Sequence, residues 1–154
     1  MYEKFVARYG KEITIREERL PTKLSGLFLD NVIYINSLLS EQEKTSTLIE
    51  EVMHAKYTVG NITEQTDISH RKQEMFARKR SYEFLIPLDD IIACYYAGFH
   101  EYFEVAEHLG VTEEFLKKTV DHYKNKFGTK CSHRDYSITF GNTIRVQQNK
   151  ACKK

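Results

Sequence analysis

Residues 40–54 read SEQEKTSTLIEEVMH. Ser40 stands three residues before Glu43. That is the capping-box spacing, in which the hydroxyl accepts from a backbone N–H of the first turn and the carboxylate reaches back. Leu48, Ile49, Val52 and Met53 then recur at three- and four-residue intervals, and Ala55 extends the apolar face. The segment reads as a helix with one broad buried face. On it Glu50 and His54 are four apart and share a side, with Glu51 one step around. Metal-binding helices written H-E-x-x-H place ligands at i and i+4 and a general-base Glu after the first. Here the first ligand position holds Glu50. Carboxylate oxygen binds zinc, so the pattern keeps its chemistry with a changed ligand.

Upstream, residues 27–29 (Leu-Phe-Leu) and 32–35 (Val-Ile-Tyr-Ile) are two β-rich runs separated by Asp30-Asn31. Asp and Asn tolerate the positive φ of a two-residue hairpin turn, so a tight β-hairpin is expected. The first twenty residues mix charge with apolar positions, suiting a short helix or strand before Pro21. Downstream, a loop over about 60–66 leads to a second helix, roughly 68–86, stopped by Pro87. Further helices are expected over about 89–97, 101–109 and 113–127. Gly98, Gly110 and Gly128 end them, and Thr112 caps the last. Residues 136–140 alternate like a strand, and the polar, basic stretch 149–154 is expected to fray. The class is α+β: a small antiparallel sheet or hairpin packed on the metal-binding helix, then a helical part. Residues 1–128 are expected to form one domain, 88–128 being its helical portion, with 129–154 as a C-terminal extension.

Composition sets outer limits. The chain has 154 residues, enough for one domain with a small appended lobe. Lys plus Arg is 23 against 22 for Asp plus Glu, so no global charge draws it to nucleic acid or membrane. No apolar run is long enough to cross a bilayer. Met1-Tyr2-Glu3-Lys4 is charged and starts no apolar leader, which argues against export. Cys94, Cys131 and Cys152 are odd in number and lack C-x-x-C spacing, fitting reduced thiols in the cytoplasm.

A hydrolytic zinc site takes three protein ligands and leaves a position for water. Glu50 and His54 are two candidates. The third must come from elsewhere, and the next helix offers Glu74 on a stripe with Ala77, Ser81 and Leu85. His70, one turn earlier, is the rival ligand, whereas Asp67 reads as a helix N-cap. Glu51 would stand beside the reacting water as general base. Taken singly, each residue has a plainer role: Glu50–His54 as a surface pair, Glu74 and His70 as solvated positions in a charged run. Their joint spacing is what points to a site.

The stretch 26–35, then 48–54, 58–60, 71–74, 77–78 and 82–88, taken in order, resembles the ImmA/IrrE family of metallopeptidases, especially short versions carried by prophages and integrative elements. The resemblance implies a zincin-like fold in which His54 and Glu74 are metal ligands and Glu51 is the base. Glu50 replaces the family's first His. The cofactor implied is Zn²⁺, with Mn²⁺ admitted by an oxygen-rich set. The family also implies a partner: a helix-turn-helix repressor of a mobile element, cleaved or otherwise antagonised. A substrate strand would add to an exposed sheet edge supplied by the hairpin.

A second pattern lies in the helical part. Ala106, Gly110 and Leu116 follow helix-turn-helix spacing, with Val105, Leu109 and Val111 as core positions. Its second helix would start Thr112-Glu113-Glu114, acids that repel phosphate and that Lys117, Lys118, Lys124 and Lys126 offset only in part. A scaffold role is expected, and direct DNA binding is not. Three functions follow in order: a cytoplasmic metalloendopeptidase acting on a repressor, a non-catalytic repressor binder, and a DNA-binding regulator.

Overall fold

Asp30 and Asn31 both take positive φ, 50° and 61°. They join strand β2 (Gly26–Leu29) to strand β3 (Val32–Asn36) with Leu29 opposite Val32, the expected two-residue hairpin. The computed structural model describes residues 1–57 and 67–150, with side chains from residue 71 onward in the second stretch. It separates into two compact units, residues 1–81 and 82–154.

The first unit begins with helix α1 (Tyr2–Tyr9) and strand β1 (Thr14–Glu18). β1 pairs in parallel with β3, and β2 pairs with β3 antiparallel, giving the order β1-β3-β2. The sheet is therefore mixed and three-stranded, not a purely antiparallel hairpin. β1 escapes sequence reading because it is mostly exposed and charged, with only Ile15 partly covered. Asn36 fixes the crossover. Its buried side chain donates to Leu20 O (3.3 Å) and Leu24 O (3.0 Å) and accepts from Leu38 N (3.1 Å). Every polar atom of that carboxamide is thus engaged, so its burial carries little desolvation cost.

Helix α2 (Glu41–Tyr57) starts as expected. Glu43 N donates to Ser40 Oγ (3.2 Å), and Ser40 N donates to Glu43 Oε2 (3.0 Å). The helix packs on β2 and β3. Leu48, Ile49 and Val52 share the core with Ile33 and Ile35, all completely buried. Each such side chain contributes on the order of 2 kcal/mol of burial free energy, which commits this face of α2 inward. Helix α3 (Asp67–Leu85) follows, and the division between the units falls within it.

The second unit contains helices α4 (Leu88–Tyr96), α5 (Tyr102–Leu109) and α6 (Glu113–Phe127). Gly98 and Gly110 sit at φ 97° and 73°, conformations that favour glycine, and each follows a helix end. Thr112 Oγ1 accepts from Phe115 N at 3.0 Å, the expected cap. Strands β4 (Lys130–His133), β5 (Tyr136–Phe140) and β6 (Ile144–Gln148) form an antiparallel meander. Cys131, Ile138 and Val146 align across it and are buried, and β4 packs on α6. These last strands, in the stretch 129–154 read from sequence as an extension, contribute buried residues to the second unit. Asn149, expected to fray, accepts from Ser137 Oγ at 2.7 Å and donates its N–H to Asp135 O at 2.7 Å. Residues 151–154 and Cys152 lie outside the described residues. Cys94 and Cys131 are free, buried thiols. Among the described residues, no helix is long and apolar enough to cross a membrane.

Candidate active site on helices α2 and α3

Glu50, Glu51 and His54 follow one another along α2, immediately beside the residues that anchor it to the sheet. All three are half-buried, at the rim of the α2 core face. The sheet reaches this rim at Gly26, the first residue of β2. A methyl group at Gly26 would lie 2.6 Å from Thr47 Cγ2, 3.1 Å from Tyr34 O and 3.4 Å from Glu51 Cγ. The absence of a side chain there is what lets β2 close on α2 at Thr47, one turn before Glu51. β2 is an edge strand of its sheet, and Leu27 and Leu29 are exposed along it.

Glu51 has the most perturbed carboxyl of the group. Burial is the largest cause, and the negative charges of Glu50 and Glu74 add to it, pushing its pKa up to about 7. A carboxyl that titrates near neutrality can both take up and release a proton under ordinary conditions. Such perturbation marks functional sites more often than structural ones.

Glu74 lies on α3, where Ala77, Ser81 and Leu85 are buried as the sequence stripe requires. Glu74 itself is exposed at the open end of that stripe, not enclosed in an apolar face. Its charge nevertheless acts on Glu51, so the two helices bring their carboxylates into one neighbourhood. Asp67 opens α3, and its side chain and that of the rival ligand His70 lie outside the described residues, as does the 60–66 loop.

Sequence reasoning missed Arg78. Its Nε donates to Glu50 Oε1 at 3.2 Å, with Arg78 about half exposed and Glu50 less so. In the charged run 71–80 nothing in the spacing distinguishes this residue from the neighbouring cations, of which Arg80 lies over the rings of Tyr57 and Phe76. The buried carboxamide oxygen of Gln73, next to Glu74, has no hydrogen-bond partner among the described residues.

As placed, no three His, Cys, Asp or Glu side chains among the described residues converge into a metal-holding group. The donor chemistry nonetheless suits a divalent cation. Glu50 and Glu74 offer oxygen and His54 offers nitrogen, and the charges of Glu50 and Glu74 both act on Glu51.

Residues 10–121 match the family model described as the IrrE N-terminal-like domain (Peptidase_M78). No curated protein matches the chain.

Proposed function

Because this chain belongs to the IrrE N-terminal-like family of peptidases, we propose that it is a metal-dependent endopeptidase that cleaves a helix-turn-helix repressor and so relieves repression of a mobile element. The observation that carries this proposal is Glu51: a carboxyl on α2, held beneath the start of an edge strand and raised to about 7 by burial and by Glu50 and Glu74.

Glu50, His54 and Glu74 would hold the ion, zinc or manganese. The ion when bound would supply Lewis-acid chemistry, acidifying water and polarising the scissile carbonyl. Glu51 takes the proton from the attacking water and returns it to the departing amine, a double duty that suits a carboxyl titrating near neutrality. An extended segment of the repressor adds to the open edge of β2, with alternate side chains over Leu27 and Leu29. The work is cytoplasmic, where such a repressor resides.

One rival has an observation in its favour. Glu50 is engaged by Arg78, and no closed ligand set is formed among the described residues. Both features suit a chain that binds the repressor without cutting it. Direct DNA binding through α5 and α6 has less support, because Glu113 and Glu114 pair with Lys117 (2.9 Å) and Lys118 (3.1 Å) along the same helix. Those lysines are thereby partly neutralised towards phosphate.

Elemental analysis and a cleavage assay separate the readings. The wild-type chain should carry close to one divalent ion and cut its repressor. Glu51→Gln should keep the ion and lose cleavage, since an amide cannot take the proton. Repressor antagonism that persists undiminished in Glu51→Gln would establish the binding-only rival.

A further inference from the structure

We propose that the outer face of the β1-β3-β2 sheet is a docking surface for one amphipathic α-helix of the repressor, a helix with an apolar stripe and a carboxylate at its flank. The inference rests on the repressor being the partner, as proposed above, and names the element by which it is held. It needs no metal.

Alternation along the strands decides which side chains face outward. Ile33 and Ile35 are fully buried on the side where α2 packs. Glu17, in register with Ile35, accepts on that side from Lys44 Nζ of α2 at 3.1 Å. The intervening residues turn the other way. The register sets them in two rows: Leu29, Val32 and Thr14, then Leu27, Tyr34 and Arg16. Leu29 and Leu27 are 54% and 39% exposed, and Val32 and Tyr34 are half-buried. Solvated sheet faces ordinarily carry polar residues. The hairpin, Leu27-Phe28-Leu29 and Val32-Ile33-Tyr34-Ile35, is instead apolar on both faces, the pattern of a sheet that is covered on both sides.

Size and charge choose the occupant. Three strands measure about 10 Å across, the width of one α-helix. The four residues of β2 run about 13 Å, close to two helical turns. A second copy of the chain would need roughly 800 Å² on each partner, far more than two part-exposed leucines and their neighbours present. Arg16 closes the second row and is exposed, with no ion pair among the described residues. A guanidinium beside an apolar surface selects a carboxylate at the edge of the apolar stripe that covers it. Glu18, also outward, stands beside Asn36 in the following row, past the apolar ones. The face adjoins the open edge of β2, where the extended segment adds. A helix on the face and a strand at the edge, joined in one chain, reinforce each other, because the second contact forms at high effective concentration once the first is made.

The test measures the affinity of the purified, labelled repressor for the full chain by fluorescence anisotropy, in the Glu51→Gln background so that the repressor is bound and not cut. Tyr34→Thr and Arg16→Glu are the deciding variants. Tyr34 is on the central strand and Arg16 on the far one, so a peptide strand added at the β2 edge reaches neither. Each should weaken binding about tenfold, and Arg16→Lys should keep most of the affinity. Hydrogen exchange on the bound repressor should show newly protected amides in a helix. Arg16 is exposed, so its variants fold as wild type does, and thermal melts check Tyr34→Thr.

Unchanged affinity in Arg16→Glu and in a folded Tyr34→Thr, with loss confined to Leu29→Thr, would leave only a strand at the edge and overturn the inference. So would a chain that sediments as a dimer and becomes a monomer in Tyr34→Thr, since the occupant would then be a second copy. A repressor that the Glu51→Gln chain does not bind at all removes the proposed partner, and this inference with it. A repressor that is antagonised by wild type and bound equally by the outer-face variants overturns the inference alone.

Discussion

Gly26 faces Glu51 so closely that a Cβ on the strand would lie 3.4 Å from the Cγ of the glutamate. The start of an edge strand and the proposed base thus lie within van der Waals reach, and the close approach of the strand is admitted by the lack of a side chain opposite Thr47. The sheet edge that would receive a peptide and the carboxyl that would act on it are therefore coupled by packing.

Gly26→Ala tests that coupling. The added methyl would meet Thr47 Cγ2 at 2.6 Å, and Thr47 is β-branched and stiff at χ1. Strand and helix must move apart, at a cost of about 1–3 kcal/mol. A lowered thermal midpoint is expected, with cleavage falling further than stability alone explains because Glu51 shifts too. An unaltered melt and unaltered cleavage would show that β2 and α2 are not held at this point.

Glu50→His restores the common ligand set. One imidazole in place of a carboxylate leaves the bound ion more positive, so bound water should approach a pKa of about 7, as in well-tuned zinc enzymes. Zinc should bind more tightly, selectivity over Mn²⁺ should rise, and the rate–pH profile should move to lower pH. Zinc binding by Glu50→Ala at wild-type strength would remove Glu50 from the ligand set.

Glu83 gives the second unit a pH dependence. Burial opposes its ionisation, but hydrogen bonds from Lys126 Nζ (2.7 Å) and His122 Nε2 (3.0 Å) outweigh that, and its pKa is held below the ordinary 4.5. A folded pKa below the unfolded one stabilises above the unfolded value, and the contribution disappears as pH falls through the folded value. Glu83→Gln should therefore lower the melting temperature at pH 6 and approach wild type as the pH drops well below 4.5. Curves that differ equally at pH 6 and pH 3 would mean that ionisation is not the source.

Lys117→Ala with Lys118→Ala should leave repressor antagonism intact. Each exposed i,i+4 pair contributes only about 0.2–0.5 kcal/mol to α6. Lost antagonism in a folded variant, accompanied by lost salt-sensitive binding to duplex DNA, would mean that α6 reads nucleic acid after all.

The local elements of this protein are written in short-range signals. Ser40 and Glu43 announce the start of α2, Asp30-Asn31 the hairpin, Gly98 and Gly110 the helix stops, and each acts within a few residues of itself. The same holds for Glu50, Glu51 and His54, whose shared helix fixes their relative directions before any tertiary contact forms. β1, β4 and β6 gave weaker signals. β1 is short and largely exposed, and it exists because β3 offers it a parallel edge, a partner no local pattern reveals. β6 alternates buried and exposed positions over only five residues, too few to stand apart from a polar tail.

The sequence by itself determined the α+β class, the buried face of α2 and the placing of Glu50, Glu51 and His54 at its rim as candidate site residues, because helical periodicity and capping are local. Only the tertiary structure decided that Glu74 acts on Glu51 from another helix and that Gly26 admits the strand to the site. It also decided that Arg78, alone in a run of cations, turns to Glu50. Each of those depends on where separate elements come to rest, and charge and steric contact across space are not encoded by spacing along a chain.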